Sequence, residues 1–520
     1  MTSLFPLTLL APVILLMAAL AAFLHPGPRP RTASWLSGSA ALGALGLASA
    51  GIVQLVVMGP AQVSLGSGPL ELVLRVDAIS TTMTFVVAFI GWVVMCYSRT
   101  YLDGDPGEGR FHGLMLATLA AVLVLMQAGS LSLLVLAFLG IGTGLRQLLL
   151  TYAERAAARR AATKFSLVWH AGDAALIAAS AILIATFGTG DLGRLVDVGG
   201  AGLPLAGHVA VALLVLTAAL KTASFPLHGW LTEVMEAPTP VSALLHAGII
   251  NAGGFLMIRT AELVQASPGA MAALVMIGGL TALFGAVVML TQSAIKTALA
   301  WSTVAQMGFM LLQCGLGLWA LALLHIVAHS MYKAHAFLSS GGAVRAVADL
   351  RRPGPVAVPR LGAVMQSFAL ALVLYAAMAT VFTFAAGPKT AQALALGAIL
   401  IFGVAYLVAQ GLADAAPDAL TRRTALASLG AAAAYFTFQL AAEAIWGPHL
   451  PAAVVPGPLE WALIVLAVLS FGLVAFAQAM FPLWTHHPAT AGLRVHLANG
   501  LYLNALLDRL IGGFRTAKSN

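Results

Sequence analysis

Charged side chains are scarce in this sequence. They make up 8% of its 520 residues, whereas 60% of the residues are hydrophobic. Soluble globular domains carry about 25% charged residues, because their surfaces must face water. The scarcity of charge therefore excludes a soluble enzyme and indicates a chain that lies within a membrane over most of its length.

Cysteine is almost absent as well. The two cysteines, Cys96 and Cys314, lie in separate apolar runs without neighbouring ligand residues, which argues against a disulfide and against a metal site. The sequence contains no nucleotide-binding loop, flavin fingerprint or cysteine cluster. We therefore expect no cofactor and no redox chemistry in this chain alone, so that any enzymatic step would belong to a partner chain.

Apolar runs long enough to span a membrane fill most of the chain. They fall near residues 4–24, 33–58, 78–98, 112–127, 130–152, 165–188, 205–225, 238–258, 270–291, 295–315, 318–342, 362–386, 391–411, 424–446 and 459–482. This pattern predicts an all-α polytopic membrane protein with about 14–15 transmembrane helices. No linker divides residues 1–485, which we interpret as one transmembrane domain.

Residues 486–520 are expected to form a separate cytoplasmic tail. Leucines recur between polar residues in this segment, at Leu493, Leu497, Leu501 and Leu506. The spacing suits an amphipathic helix that lies on the membrane or on a partner. A frayed terminus is the alternative.

The distribution of lysine and arginine predicts the orientation in the membrane. When loops are counted from a first helix that starts outside, one face carries only Arg75, Arg194, Arg259 and Lys389. The opposite face carries Arg29, Arg31, Arg99, Arg110, Arg155, Arg159, Arg160, Lys164, Arg345, Arg351, Arg352, Arg360, Arg422, Arg423, Arg494, Arg509, Arg515 and Lys518. By the positive-inside rule the amino terminus lies outside and the tail is cytoplasmic.

A lysine beside a helix break is the feature most informative about function. Lys221 ends the apolar run from Val209 to Leu220, and Pro226 follows it closely. An ammonium at membrane depth is costly and is tolerated mainly where it faces protein or water. Proline breaks a helix, and an open backbone at this depth must line a cavity or lie inside protein. The pairing of charge and break is typical of ion transporters.

Further titratable residues follow the break. Glu233 and Glu236 are candidate counter-charges, and His246 lies early in the next helix. A histidine titrates near neutral pH and suits a proton relay, although a lone helical histidine is more often structural. Asp173 is the only carboxylate in the 165–188 run, and it would stay charged if it lay near Lys221. Its alternative role is that of a helix-end cap or loop residue.

A stripe of titratable side chains marks the run from Leu321 to Leu338. His325, His329 and Lys333 recur every four residues, so they share one helix face and could string protons together. The first two resemble a zinc site, but the lysine and the lack of a local carboxylate or cysteine favour proton conduction. Lys296 is either a conducting residue or a side chain that snorkels from a helix end.

Three motifs carry a resemblance to a known family. They are LKTASFPLH at 220–228, MEAPTPVSALLHA at 235–247 and STVAQMG at 302–308, joined by the stripe described above. The stretch 164–342 thus resembles the antiporter-like, proton-conducting subunits of respiratory complex I and of multi-subunit cation/proton antiporters. The resemblance implies a helix bundle of two inverted five-helix repeats, each with one broken helix. It also implies a proton path through Lys221, His246, Lys296, His325, His329 and Lys333.

The sequence departs from that family in two places. The family's glutamate partner for the lysine should lie in 133–152, but this stretch contains no acid and instead has Arg146. A lysine without its switching acid lacks one coupling element of a redox-driven pump. For the second broken helix, Pro388 and Lys389 are the nearest candidates, and they match the family poorly.

The second departure is a carboxyl end without a long lateral helix or a further anchoring span. This feature, with HAGIINAGGFL at 246–256 and NGLY at 499–502, resembles the membrane subunits of DAB-type inorganic-carbon accumulation complexes. The resemblance implies a bacterial inner membrane location. It also implies a large cytoplasmic zinc-binding partner (DabA-type) like a carbonic anhydrase, for which the tail and basic loops would be docking surfaces.

Three functions follow as hypotheses. The first is a cation-conducting, and more specifically proton-conducting, subunit that energises bicarbonate accumulation by the zinc partner. The second is a proton-pumping subunit of an NADH:quinone oxidoreductase or of a cation/proton antiporter. The third is a membrane anchor that does not conduct. Sequence alone does not decide between protons and sodium ions.

Overall fold

The structure is a computed structural model of the chain. It describes residues 5–30, 33–199, 202–234, 237–342, 360–411, 418–480 and 487–511. The candidate counter-charge Glu236 and both ends of the predicted tail lie outside these described residues.

Helices form nearly all of the regular structure in these ranges. In chain order they are α1 Leu10–Phe23, α2 Ala33–Met58, α3 Ala78–Tyr101, α4 Glu108–Met126, α5 Leu131–Leu149, α6 Ala156–Phe187, α7 Leu192–Gly199, α8 Leu205–Lys221, α9 Gly229–Glu233, α10 Thr239–Ala247, α11 Ala252–Arg259, α12 Ala261–Gln265, α13 Pro268–Met289, α14 Ile295–Gly315, α15 Trp319–Ser339, α16 Leu361–Ala386, α17 Ala391–Gly411, α18 Asp418–Trp446, α19 Pro458–Ala479, α20 Ala491–Ala498 and α21 Leu503–Ile511.

Each predicted apolar run coincides with one of these helices or with a pair of consecutive ones. Within the described residues, 9 helices are long and apolar enough to cross a membrane, and three shorter apolar helices accompany them. The predicted class, an all-α polytopic membrane protein, is confirmed.

A short β-hairpin was not predicted. Strands β1 Ala61–Leu65 and β2 Leu72–Val76 pair antiparallel, with Ala61 opposite Val76. The second strand also pairs with the connection between α4 and α5, where the amide of Gly129 donates to the carbonyl of Val73 at 2.8 Å. We call this side of the bundle the hairpin end. The opposite side, where the tail helices lie, is the tail end.

A buried ion pair fixes the hairpin end. Asp77 caps the amino terminus of α3 by accepting from the amide of Ser80, and its carboxylate lies 2.6 Å from the guanidinium of Arg259 at the end of α11. Arg259 also donates to the carbonyl of Ala128 at 3.1 Å. Burial alone would raise the pKa of Asp77, but Arg259 and the amide of Ser80 stabilise the carboxylate and lower it below its ordinary value.

Glycines let α13 and α14 pack closely against each other. A side chain at Gly278 would meet the backbone amide of Leu312 at 2.5 Å, and one at Gly308 would meet the amide of Ala282 at 2.4 Å. Small residues let two membrane helices approach closely and gain van der Waals contact, which lipid cannot replace. Because α14 leads directly into α15, this pair fixes the helix that carries the histidine and lysine stripe.

The candidate for a second broken helix is not in one. The structure describes α16 from residue 361 to residue 386 and α17 from residue 391 as helices without interruption. Lys389 lies in the short connection between them at the hairpin end. Interpreting Lys389 as the second repeat's lysine was therefore wrong, because a proline between two helices leaves both of them intact.

The tail forms two short helices, α20 and α21, joined by a turn at Gly500–Tyr502. Leu501 and Tyr502 both adopt positive φ in this turn. The carbonyl of Ala498 accepts from the side chain of Gln292 at 3.2 Å, which seats the tail beside the connection between α13 and α14.

Replacing Asp77 with asparagine is expected to destabilise the hairpin end. The change leaves the guanidinium of Arg259 buried without its anion, and breaking a buried pair from one side costs about 3–5 kcal/mol. The temperature of unfolding in detergent should fall by several degrees. Because the pKa of Asp77 is lowered in the folded protein, the stabilisation is present above the ordinary aspartate pKa and disappears as the pH falls through the lowered value.

The matched control is Arg29→Gln. Arg29 lies 3.0 Å from Asp103, and the two side chains are 74% and 59% exposed. Exposed pairs contribute about 0–1 kcal/mol, so this variant should unfold at the wild-type temperature. Equal changes of the unfolding temperature in the two variants would show that the buried pair stabilises the fold no more than an exposed pair does.

Candidate functional site

The helix break expected at Pro226 is present. Helix α8 ends at Lys221, the chain passes through residues 222–228 without helical structure, and α9 begins at Gly229. The freed backbone finds partners within the protein, since the amide of Phe225 donates to the hydroxyl of Thr281 on α13 at 3.1 Å. Open backbone at membrane depth needs such protein partners, and here it lies inside the bundle.

Lys221 is buried in a closed polar and aromatic site. Its ammonium lies 2.5 Å from a carboxylate oxygen of Asp173 and donates to the carbonyl of Trp169 at 2.9 Å. The same nitrogen lies 3.9 Å from the ring centre of Trp169 and 5.1 Å from that of Phe138. Ring faces attract cations, most strongly where water is excluded. The lysine therefore has a counter-ion, a hydrogen-bond acceptor and two aromatic walls.

The counter-charge comes from α6 rather than α5. Asp173 lies near the middle of α6, so the alternative role of a helix cap or loop residue was wrong. A side chain at Gly172 would come within 2.9 Å of the Lys221 side chain, so glycine provides the room that the lysine occupies. Arg146 on α5 is exposed and takes no part in the site. Facing the lysine, α5 presents Phe138 instead of an acid.

Glu233 is not the counter-charge of Lys221. Its carboxylate makes a close ion pair with Lys164 of α6 and lies 3.9 Å from Arg160. The sequence assigned Lys164 to the cytoplasmic face as a topology marker, but its side chain is only 1% exposed. This second buried ion pair was missed because the two residues are 69 positions apart in the chain.

A second polar cluster surrounds His246. The helix holding it is interrupted by a 3₁₀ turn at Ile249–Asn251, and the histidine stacks on Phe337 with ring centres 4.3 Å apart. Nδ1 of His246 lies 3.0 Å from the hydroxyl of Thr303. That hydroxyl donates to the carbonyl of Leu299, so the histidine is the donor toward it.

Lys333 joins the same cluster from α15. Its ammonium donates to the carbonyl of Leu299 at 3.0 Å and to the hydroxyl of Ser302 at 2.8 Å. The carbonyl of Leu299 thus accepts from both Thr303 and Lys333. Among the described residues, no carboxylate forms an ion pair with Lys333. Polar uncharged groups surround this ammonium, in contrast to Lys221.

The remaining stripe residues continue along α15 from Lys333. The rings of His329 and His325 lie 6.1 Å apart, and both ring nitrogens of the buried His329 lack a hydrogen-bond partner among the described residues. Lys296 is half-buried at the tail end, where it donates to the hydroxyl of Thr239 at 3.2 Å. It lies at the start of α14, and among the described residues no hydrogen bond or ion pair joins it to the stripe.

A cavity of about 770 Å³ opens beside the two histidines. Its walls are mostly apolar and come from α13–α15 and from α16–α19, with a few polar groups: Gln306, Gln313, His325, His329, Tyr375 and Tyr435. A buried polar group without a hydrogen-bond partner is costly. We therefore expect water molecules in this cavity to hydrogen-bond His329 and Gln313.

The structure therefore assembles two titratable clusters. One joins Lys221 to Asp173, and the other joins His246, Thr303 and Lys333 and leads to His329 and His325. Such groups can take up, hold and pass protons when water connects them. In the described part of the chain, no three histidine, cysteine, aspartate or glutamate side chains gather into a group that could hold a metal ion.

Comparisons with known proteins show the family of the chain. The family model "NADH:quinone oxidoreductase/Mrp antiporter, TM" matches residues 128–409, and the model of the amino-terminal part of complex I chain 5 matches residues 63–112. The chain is 38% identical to the "Probable inorganic carbon transporter subunit DabB2" of Halothiobacillus neapolitanus over 471 residues. That match covers 88% of this chain and 83% of the relative.

Two further relatives are more distant. NADH-quinone oxidoreductase subunit L of Mycobacterium tuberculosis is 31% identical, with 85% of this chain and 70% of the relative covered. Among solved structures, a chain of the Mrp complex from Dietzia sp. superposes with a TM-score of 0.65 at 24% identity. That match covers 98% of this chain and 60% of the Mrp chain, and it shows a shared fold.

The pairing of Lys221 with Asp173 is expected to appear in a double-mutant cycle. Asp173→Ala leaves a buried ammonium unpaired, and Lys221→Met leaves a buried carboxylate unpaired. Each single change should cost about 3–5 kcal/mol, whereas the double variant should lose far less. Thermal unfolding of the four proteins in one detergent measures this coupling.

His170 supplies the control for the cycle. Its ring lies 3.1 Å from Asp173, but its side chain is 54% exposed, so His170→Gln should change the unfolding temperature little. Additive losses in the Asp173 and Lys221 variants would contradict the buried pair.

Proposed function

Because the chain belongs to the NADH:quinone oxidoreductase/Mrp antiporter family, and within it to the DabB-type subunits, we propose that it is the proton-conducting membrane subunit of an inorganic carbon transporter. The buried Lys221–Asp173 pair at a helix break carries the proposal. A transport subunit needs an ionisable group at membrane depth whose charge is balanced in place. The match to DabB2 over most of both chains supports inorganic carbon as the transported class of substrate.

Proton exchange within the Lys221 site would proceed without creating a lone charge. A proton that arrives at Asp173 neutralises the carboxylate, which removes the partner that holds Lys221 charged. Lys221 would release a proton toward the break at residues 222–228 in the same step, so that the site passes from an ion pair to a neutral pair. Transfer of the proton from Asp173 to Lys221 would then restore the ion pair, and no isolated ion is left in the low-dielectric interior.

The His246 cluster would carry the proton onward. His246 and Lys333 are linked through Thr303 and the carbonyl of Leu299, and the stripe on α15 continues to His329 and His325. Water in the adjoining cavity would bridge the rings of His329 and His325, because these two rings are too far apart for a direct hydrogen bond. Lys296 is half-buried at the tail end, where its positive charge would act on ions that enter or leave the path.

The zinc chemistry would belong to a partner. Ion entry through this chain would energise one-way hydration of CO2 by a large cytoplasmic zinc-binding subunit of the DabA type, with the tail as a docking surface. Leu506 and Leu510 support such docking, because they lie on the side of α21 opposite to Asn504 and Asp508 and are 54% and 84% exposed. On this proposal the chain lies in a bacterial inner membrane with its tail in the cytoplasm.

Lys221→Ala is expected to abolish transport while leaving the complex assembled. Cells without carbonic anhydrase, given this chain and its zinc partner, should grow in air, and the variant should not rescue that growth. Co-purification of the two subunits checks assembly. Arg146→Ala is the control, because Arg146 is exposed and lies outside both clusters. Rescue by the Lys221 variant would instead support a membrane anchor that does not conduct.

His329→Phe should stop proton flow between the second cluster and the cavity. Phenylalanine fills the site of the imidazole but neither binds nor passes a proton. Dye-reported acidification of proteoliposomes containing the complex should fall to the level of empty vesicles. His335→Phe is the matched control on the same helix, because that side chain is exposed. Equal proton flux in the two variants would show that the stripe is not part of the proton path.

A further inference from the structure

The tail completes a buried charge site that belongs to the membrane domain. The ammonium of Lys164 contacts Glu233 from α9, the side-chain oxygen of Asn504 at 2.7 Å and a carboxylate oxygen of Asp508 at 2.5 Å. Asn504 also donates to Glu233 at 2.8 Å. Asn504 and Asp508 are one helical turn apart on α21, so a single face of that helix closes over the lysine. We call this set of four side chains the tail latch.

The latch covers the helix break. A side chain at Gly229, where α9 begins, would come within 2.2 Å of the Asn504 oxygen, so the tail lies in direct contact with the restart of the broken helix. A side chain at Gly500 would come within 3.2 Å of Trp301 and 4.0 Å of His228, which belongs to the break. The tail therefore contacts α6, α9, α14 and the non-helical segment between α8 and α9.

Two rigid connections run from the latch to the Lys221 site. Lys164 and Asp173 lie on the same helix, and their nine-residue separation corresponds to about 13 Å of helix. On α9, Trp230 packs edge-on against Trp169 with ring centres 6.1 Å apart. Trp169 in turn covers the ammonium of Lys221. A displacement of the tail would therefore move both Asp173, the counter-charge, and Trp169, which covers Lys221.

We propose that the tail latch is a gate: α21 closes the tail-end access to Lys221 when it is seated, and it must leave Lys164 and Glu233 for protons to pass. The proposal rests on the proposed function and adds its regulation. Unseating is feasible because the latch lies at the end of the bundle, where water can solvate the exposed charges. A partner subunit that holds the outward leucines of α21 would control the gate.

A reversible cross-link tests whether the tail must move. The Cβ of Asn504 lies 3.5 Å from the Cβ position at Gly229, which suits a disulfide. Gly229→Cys and Asn504→Cys are combined in a chain whose native Cys96 and Cys314 are replaced by serine and alanine. Proteoliposomes that hold this chain with its partner should lose proton flux after oxidation, down to the level of Lys221→Ala, and regain it on reduction.

Each single-cysteine variant, oxidised in the same way, is the matched control and should keep its flux. Complete cross-linking, shown by mass spectrometry, with unchanged flux would overturn the gate and leave the proposed function intact. Flux no higher than that of Lys221→Ala in the reduced protein would overturn both.

Release variants test the same idea from the opposite direction. Asn504→Ala with Asp508→Asn removes the latch contacts, and the full chain alone should then dissipate an imposed pH gradient several-fold faster. Adding Lys221→Ala should abolish the leak, which a merely loosened fold would not do. Ala505→Ser, at an exposed position of α21 outside the latch, should behave as wild type. Faster trypsin cleavage within the tail without a faster leak would refute the proposal.

Discussion

A single buried ion pair, Lys221 with Asp173, determines how this part of the bundle is built. An ammonium inside a membrane domain is costly, and an opposite charge beside it offsets much of that cost. The pair in turn requires space, hydrogen-bond acceptors and exclusion of lipid. Gly172 provides the space, the carbonyl of Trp169 accepts a hydrogen bond, and the indole covers the charge. The end of α8 at Lys221 places the lysine beside backbone that is free of helical bonds. The helix break and the Lys221–Asp173 ion pair therefore occupy the same site.

Much of the fold could be predicted from the sequence, because long apolar runs and helix-breaking prolines are local signals. The helix boundaries and the break after Lys221 followed from them. The partner of that lysine could not be derived in the same way, because Asp173 precedes it by 48 residues and only packing brings them together. Glu233 was misassigned for the same reason, since Lys164 looked like a surface cation. The hairpin was missed because two strands of five residues leave little periodicity beside long helices.

The two halves of the bundle differ in how they handle charge. The first half has an ion pair at its break, whereas α16 and α17 run uninterrupted through the residues that the structure describes. Between the halves, Lys333 and the histidines of α15 face hydroxyls, carbonyls and a largely apolar cavity. In the described residues, the second half therefore combines uninterrupted helices with an enclosed space beside the histidine stripe. Fold similarity thus leaves room for a different route through the second half.

The hairpin end and the tail end are held together by different means. At the hairpin end, backbone hydrogen bonds join β2 to the α4–α5 connection, and that connection to residues 190–192, while Arg259 ties α11 to both Asp77 and Ala128. The contacts that seat residues 487–511 of the tail against the bundle involve side chains. Because the hairpin end is fastened by backbone hydrogen bonds, we expect the helices to move more at the tail end. Lipids in the leaflet beside the tail would then exert the greater leverage on the helices.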